Sequence, residues 1–152
     1  MIIKAFLDTN VLLDVIIGNR SSSSASVQIM EAVKKNLIET AVSTQSILDA
    51  AYSLRGQNRQ GEFYRFAEWL INYTNVDYIN TFDIKNAIRE DSGDFEDDAQ
   101  VSRALDTCCD VFVTSDKKLR KHYDGKYEHL QFMSPEEFVS KMKGEAIPSQ
   151  IY

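Results

Sequence analysis

The chain is 152 residues long, 43% hydrophobic and 26% charged, with a formal net charge of −6 and a sequence pI of about 4.9. That length builds one domain around a real core and is short for two, and no apolar run is long enough to span a membrane. The acidic balance excludes nucleic-acid binding by bulk electrostatics alone, yet it permits a protein whose carboxylates meet phosphates through bridging cations.

The N-terminal "MIIKAFLDTNVLLDVIIG" is apolar, but Asp8 and Asp14 interrupt it and it lacks a basic start and a cleavage site, so no signal peptide is expected. "IIKAFL" reads as a buried strand ending at Asp8, with Thr9 or Asn10 capping the helix "VLLDVII". "GNRSSSSAS" reads as a flexible loop and helix cap, and "ASVQIMEAVKKNL" as a helix. "IETAVS" is a second strand, and "STQSILDAAYSLRG" a helix that opens with hydroxyl caps and ends near Gly56. Residues 60–73 hold the aromatic helix "FYRFAEWLINY"; "VDYIN" is a third strand and "TFDIKNAIRE" a capped helix. After the acidic turn "DSGDFEDD", "AQVSRALDTCC" is helical. "DVFVTSDKKL" is a strand ending in a turn, and "HLQFMSPEEFVSKM" a last strand and helix, with Ser134 the cap and Pro135 in the first turn. Residues from 144 onward read as a frayed tail.

Six glycines and no GxxxxGKS/T or GxGxxG pattern leave no nucleotide cradle. His122 and His129 have no partner Ser or Cys motif, which argues against a histidine triad. Cys108 and Cys109 are adjacent, a spacing that suits neither a disulfide framework nor a zinc site; they read as buried thiols of a cytoplasmic protein. Strands alternating with helices predict an α/β fold with a parallel sheet covered on both faces, whose ligands bind beyond the carboxyl ends of the strands.

Acids stand where that rule directs attention. Asp8 ends the first strand, Asp116 follows "VFVTS", and the acidic run opens a helix. At 100° per residue, Asp97 shares a stripe with Val101, Ala104, Leu105 and Cys108, so Asp97 is expected to head the buried face. Asp98 falls to one flank, and Glu96 aligns with Gln100 and Arg103 on the solvent side. Asp49 lies inside a helix but off the core stripe of Ile47, Ala51 and Leu54, so spacing alone puts it on the surface. Singly, such acids are ordinary helix caps or a solvated face. Jointly they repel one another, and divalent ions with oxygen ligands relieve that repulsion. No other nucleophile is evident, so the chemistry that fits is metal-assisted hydrolysis.

The segments "FLDTNVLLD", "STQSILDAAY", "DFEDDAQVSRAL" and "DVFVTSDKKL" resemble, in order and spacing, the motifs of PIN-domain ribonucleases over residues 3–120. The resemblance implies a three-layer α/β/α sandwich with a central parallel sheet, formed by residues 1–143 with 144–152 as a C-terminal tail. It implies hydrolysis of RNA with Mg²⁺ or Mn²⁺ on Asp8, Asp49, Asp97 and Asp116, with Asn10, Asp94, Thr114 and Ser115 assisting. It further implies a possible antitoxin partner and a possible homodimer, since many family members are toxins of bacterial toxin–antitoxin pairs and many dimerise. Two departures stand out: Asp49 replaces the usual Glu, and Asp98 replaces a small apolar residue.

A haloacid-dehalogenase-type phosphatase would need an acid where Asn10 stands, and a receiver domain a lysine on a separate strand. The remaining rival is a non-catalytic nucleic-acid-binding or regulatory module on the same fold. Lys117, Lys118 and Arg120 beyond Asp116, and Arg55 with Arg59 and Arg65, are candidate phosphate contacts, against a plainer reading as solvated helix ends. Phe63, Tyr64, Phe66, Trp69 and Tyr73, with Tyr52 nearby, exceed what one helix face buries, so they are divided between core and an interface.

Overall fold

Five short β-branched and aromatic runs form the strands of the computed structural model, which describes residues 1–146. In chain order the elements are β1 Lys4–Leu7, α1 Thr9–Ile17, α2 Ser23–Lys34, β2 Glu39–Ser43, α3 Thr44–Ser53, α4 Gln60–Tyr73 and β3 Asn75–Asp77. There follow α5 Thr81–Glu90, α6 Phe95–Asp106, β4 Val111–Val113, α7 Lys117–Tyr123, β5 Gln131–Met133 and α8 Pro135–Ala146. The strands pair in the order β3-β2-β1-β4-β5 and every pair is parallel.

Successive strand residues face opposite sides of a sheet, so β1 feeds two cores. Ala5 and Leu7 join Val11, Leu12, Ile29, Val33, Val42, Leu70, Val113 and Phe138 in the layer of α1, α2, α4 and α8. Phe6 joins Val101, Ala104, Phe112, Leu119 and Tyr123 in the layer of α6 and α7. On that face the register sets Phe6 beside Phe112 and Phe112 beside Phe132. Both pairs have ring centroids 5.4 Å apart, and Tyr123 stacks on Phe132 at 5.0 Å. Each fully buried ring or aliphatic contributes about 1.5–3 kcal/mol by leaving water. This is the expected three-layer α/β/α sandwich. Among the described residues no helix is long and apolar enough to cross a membrane.

Several local expectations need correction. Asp8 itself, rather than Thr9 or Asn10, caps α1. The "GNRSSSSAS" stretch is no loose loop beyond its first residues. Ser23 and Ser26 are buried in α2, where Ser26 donates to the Asp14 carboxylate at 2.8 Å and Ser23 to the Asp14 carbonyl at 2.7 Å. Asp14, 2% exposed, is completed by Arg20 at 3.0 Å. α6 starts at Phe95, and it is buried nearly all round because α5 covers the flank that the sheet does not. Asp98, Gln100 and Arg103 are inside, where they meet Tyr123 of α7, Ser46 of α3 and Asp83 of α5 in turn, while Leu105, expected on the core stripe, is exposed. Cys108 is exposed as well: α6 ends at Asp106, and Cys108 sits in a left-handed turn (φ 57°) that breaks the helical period. Cys109 is buried as expected. α7 occupies what reads as a turn. The Ser134–Pro135 start of α8 holds, with Glu137 N donating to Ser134 Oγ at 3.1 Å. The helix runs through Ala146, past the expected start of the tail, whose residues 147–152 lie outside the described residues.

Candidate active site

β1 and β4 are neighbours in register Leu7 to Val113, so the next residues of each strand, Asp8 and Thr114, emerge side by side at the carboxyl edge. Thr114 Oγ1 donates to Asp8 Oδ2 at 2.7 Å, and Asn10 Nδ2 donates to the same oxygen at 3.1 Å. Thr9 N donates to Asp8 Oδ1 at 2.8 Å, which makes the first acid a helix cap as well. Thr114 Oγ1 also accepts from Asp116 N at 3.1 Å, and Asn10 Oδ1 from Ser115 N at 3.1 Å. Asn10 and Thr114 thus lock β1 and the β4–α7 turn into one frame.

Asp116 caps α7 by accepting from Lys118 N and Leu119 N at 2.9 and 3.1 Å. Asp94 caps α6 by accepting from Asp97 N at 3.0 Å. Three of the acids are therefore caps, and the plain reading of each is correct as far as it goes. The caps nevertheless converge. Asp97 is half-buried beside them, and its carboxyl is pushed up to about 8 by burial first, then by the charges of Asp8, Asp94 and Asp116. Burial likewise raises Asp8, against the hydrogen bonds from Thr114 and Thr9, and the charges of Asp116 and Asp94 add to the rise.

Among the described residues no lysine, arginine or histidine forms an ion pair with Asp8, Asp94, Asp97 or Asp116. Nor do three or more Asp, Glu, His or Cys side chains close into a ready-made metal cage among them. The donors offered are carboxylate and hydroxyl oxygens, which suit Mg²⁺ or Mn²⁺ rather than zinc, and such ions keep waters of their own. The residues fit an ion of that kind in chemistry and charge. A cleft of about 330 Å³ opens beside them, lined by Asp94, Asp97, Asp116, Lys118 and Tyr123.

The structure sorts the remaining candidates. Asp49 is half-buried and accepts from Gln45 Nε2 at 2.8 Å. It is not among the carboxylates whose charge chiefly raises Asp8 and Asp97. Its helix does reach the site through Ser46, whose hydroxyl accepts from Thr9 Oγ1 at 3.0 Å and from Gln100 Nε2 at 2.7 Å. Sequence reasoning missed Ser46 and Gln100, the first because it reads as a cap and the second because it reads as solvent-facing. The Oε1 of Gln100 and the Oγ of Ser115 are buried without a hydrogen-bond partner among the described residues. Lys117 and Lys118 are exposed, Lys118 on the cleft wall, whereas Arg120 is half-buried and donates to the Thr114 carbonyl at 2.7 Å. Arg55 lies at the far end of α3, over the Tyr52 ring.

Asp98 is the buried acid of the run. It accepts from Ser92 N, Ser92 Oγ and Tyr123 Oη at 3.1, 2.7 and 2.5 Å, tying the acidic loop to α7.

A family model described as PIN domain matches residues 4–118. No curated protein matches significantly. Among solved structures, the chain is similar to VapBC2 from Rickettsia felis bound to a DNA fragment from its promoter, at 13% identity and a TM-score of 0.62, covering 87% of this chain and 98% of that one. It is similar to PAE2754 from Pyrobaculum aerophilum at 15% identity and a TM-score of 0.62, covering 93% and 90%. A toxin–antitoxin complex from Klebsiella pneumoniae matches at 17% identity and a TM-score of 0.60, covering 83% and 94%.

Proposed function

The chain belongs to the PIN domain family, and on that premise we propose that it is a metal-dependent endoribonuclease. One observation carries the reading: four carboxylates from the starts of three helices, Asp8 at α1, Asp94 and Asp97 at α6 and Asp116 at α7, converge at the sheet's carboxyl edge, and none is ion-paired with a cation among the described residues. Asp8, Asp97 and Asp116 would hold Mg²⁺ or Mn²⁺, with Asp94 adjoining and Asp49 contributing directly or through water. The bound ion supplies a water of lowered pKa and neutralises charge on the scissile phosphate.

The chain's own residues do the rest. Thr9 N, Asn10 and Thr114 aim the Asp8 oxygens, so little reorganisation is needed when a ligand arrives. Asp94 and Asp116 are fixed by the helix ends they cap. Lys118 on the cleft wall would meet a flanking phosphate. The likeness to toxin–antitoxin structures supports a cognate antitoxin as partner, and Phe82 and Ile88, 55% and 65% exposed on α5, offer surface for a second copy. The unpaired cysteines suit the reducing cytoplasm.

The test is incubation of single-stranded RNA with the purified chain in Mg²⁺ or Mn²⁺, then in EDTA. Cleavage that chelation stops and Asp8→Asn removes is expected. Activity indifferent to EDTA would refute the proposal.

A further inference from the structure

A second concave surface lies at the α3–α4 corner, which the carboxylate cleft does not use. A cavity of about 800 Å³ opens there, and Tyr52, Arg55, Asn58, Arg59, Phe63 and Tyr64 are among its walls, with no aspartate or glutamate. In a chain of net charge −6, a cavity with two arginines and no acid is complementary to an anion.

The aromatic residues of this region divide in two. Phe66 and Trp69 pack against the core, and Tyr73 stacks on Trp69 at 4.9 Å. Tyr52 and Tyr64 remain 66% and 60% exposed. The Arg55 guanidinium lies 4.0 Å from the Tyr52 ring centroid, so cation and π-face are presented together. Arg59 is partly engaged by Glu62 at 3.1 Å, which leaves Arg55 as the principal charge.

Planar rings beside a cation, in a cavity free of acids, suit a chain of nucleobases joined by phosphates. One helix joins the corner to the carboxylate site. α3 meets the site at Ser46, through Thr9 and Gln100, and Tyr52 follows about 9 Å further along the helix axis. An acidic peptide could satisfy the charge, but nothing would link its binding to a phosphodiester site.

We propose that Tyr52, Arg55 and Tyr64 form a stacking subsite for single-stranded RNA, gripping the strand a short way from the bond that is cut. This rests on the nuclease reading above. The Tyr52→Ala/Tyr64→Ala double variant is compared with wild type and with Tyr52→Phe/Tyr64→Phe. Fluorescence anisotropy measures binding of a labelled single-stranded RNA oligomer in EDTA, and Mn²⁺-dependent turnover of bis(4-nitrophenyl) phosphate reports chemistry on a diester without bases.

The alanine variant is expected to bind RNA about 5- to 100-fold more weakly and to turn over the base-free diester like wild type. The phenylalanine variant, which keeps both rings, binds like wild type. Arg55→Gln lessens the salt dependence of binding. Equal RNA affinity in wild type and the alanine variant overturns the subsite, as does Tyr52-dependent capture of a labelled acidic peptide in preference to RNA. Wild-type protein that hydrolyses neither RNA nor the diester overturns the nuclease reading itself, a separate outcome.

Discussion

Neighbouring acids in this site are held in different ways, and substitution to asparagine separates them. Asp8 accepts three hydrogen bonds, so an amide at Oδ2 would set its own N–H groups against the Asn10 N–H and the Thr114 O–H. Asp97 accepts no such set, and its charge is opposed by burial and by its neighbours. Asp97→Asn is therefore expected to raise the melting temperature of metal-free protein, while Asp8→Asn leaves it unchanged or lowers it. Both should lose RNA cleavage by more than about 100-fold, since even partners outside the coordination shell carry 10–100-fold. Differential scanning fluorimetry and a cleavage assay on the two variants decide this; a stabilised Asp8→Asn beside a destabilised Asp97→Asn would reverse the assignment. Asp98 behaves otherwise again. Asp98→Ala strands the buried Tyr123 hydroxyl and takes the acceptor from both half-buried Ser92 donors, at a cost of about 3 kcal/mol in chemical denaturation. A loss under 1 kcal/mol would show that water replaces the carboxylate there. The stripe argument expected Asp97 to head the buried face and Asp98 to lie on a flank, yet Asp97 is half-buried and Asp98 is the buried acid, because a one-sided helix wheel cannot register the other elements that cover the helix's flanks.

Capping explains why these acids look unremarkable one at a time. Asp8, Asp94 and Asp116 each close the first turn of a helix that starts as the chain leaves the sheet or the acidic loop, and aspartate is a preferred cap for reasons unrelated to catalysis. The overlap has a measurable consequence. Asparagine caps as well as aspartate, so Asp116→Asn should keep α7 intact and lose cleavage, whereas Asp116→Ala should lose cleavage and about 1 kcal/mol of stability besides. Urea denaturation of the two variants tests it, and equal stability would mean that the bonds to Lys118 N and Leu119 N do not hold the helix. The strands and most helices are legible because their apolar runs and caps act locally. Two things are not legible. The pairing of β1 with β4 joins residues more than a hundred positions apart, and with it comes the Asp8–Thr114 contact on which the site is built. Ser46 and Gln100 meet by the same kind of long-range packing. Asp49 shows the limit of periodicity from the other side: helix spacing places it on the surface and family resemblance at the site, and the structure leaves it half-buried on the helix that carries Ser46.

For the molecule as a whole, the clustered carboxylates should make stability depend on pH and, on the proposed reading, on metal as well. Asp97 is raised from an ordinary value of 3.8 to about 8 in the folded chain, and Asp8 is raised as well. Between those limits the folded protein retains protons that the unfolded chain has released. Stability from these groups is therefore complete below the unfolded pKa and is lost as pH climbs toward the folded one. Metal-free protein should melt at progressively lower temperature from pH 5 to pH 8.5, and Asp97→Asn should flatten that slope. The Asp14 carboxyl is raised by burial too, so the difference between wild type and variant is the quantity that isolates the site. On the proposed reading, added Mn²⁺ should act in the opposite sense. It would bind the deprotonated carboxylates, which only the folded chain assembles, so its stabilisation should grow with pH as protons cease to compete. Thermal melts across this range, in EDTA and in millimolar Mn²⁺, should diverge as the pH rises. Parallel curves for wild type and Asp97→Asn in EDTA would mean that the carboxylates do not share their charge in the folded protein, and the metal site proposed from their convergence would fall with that result.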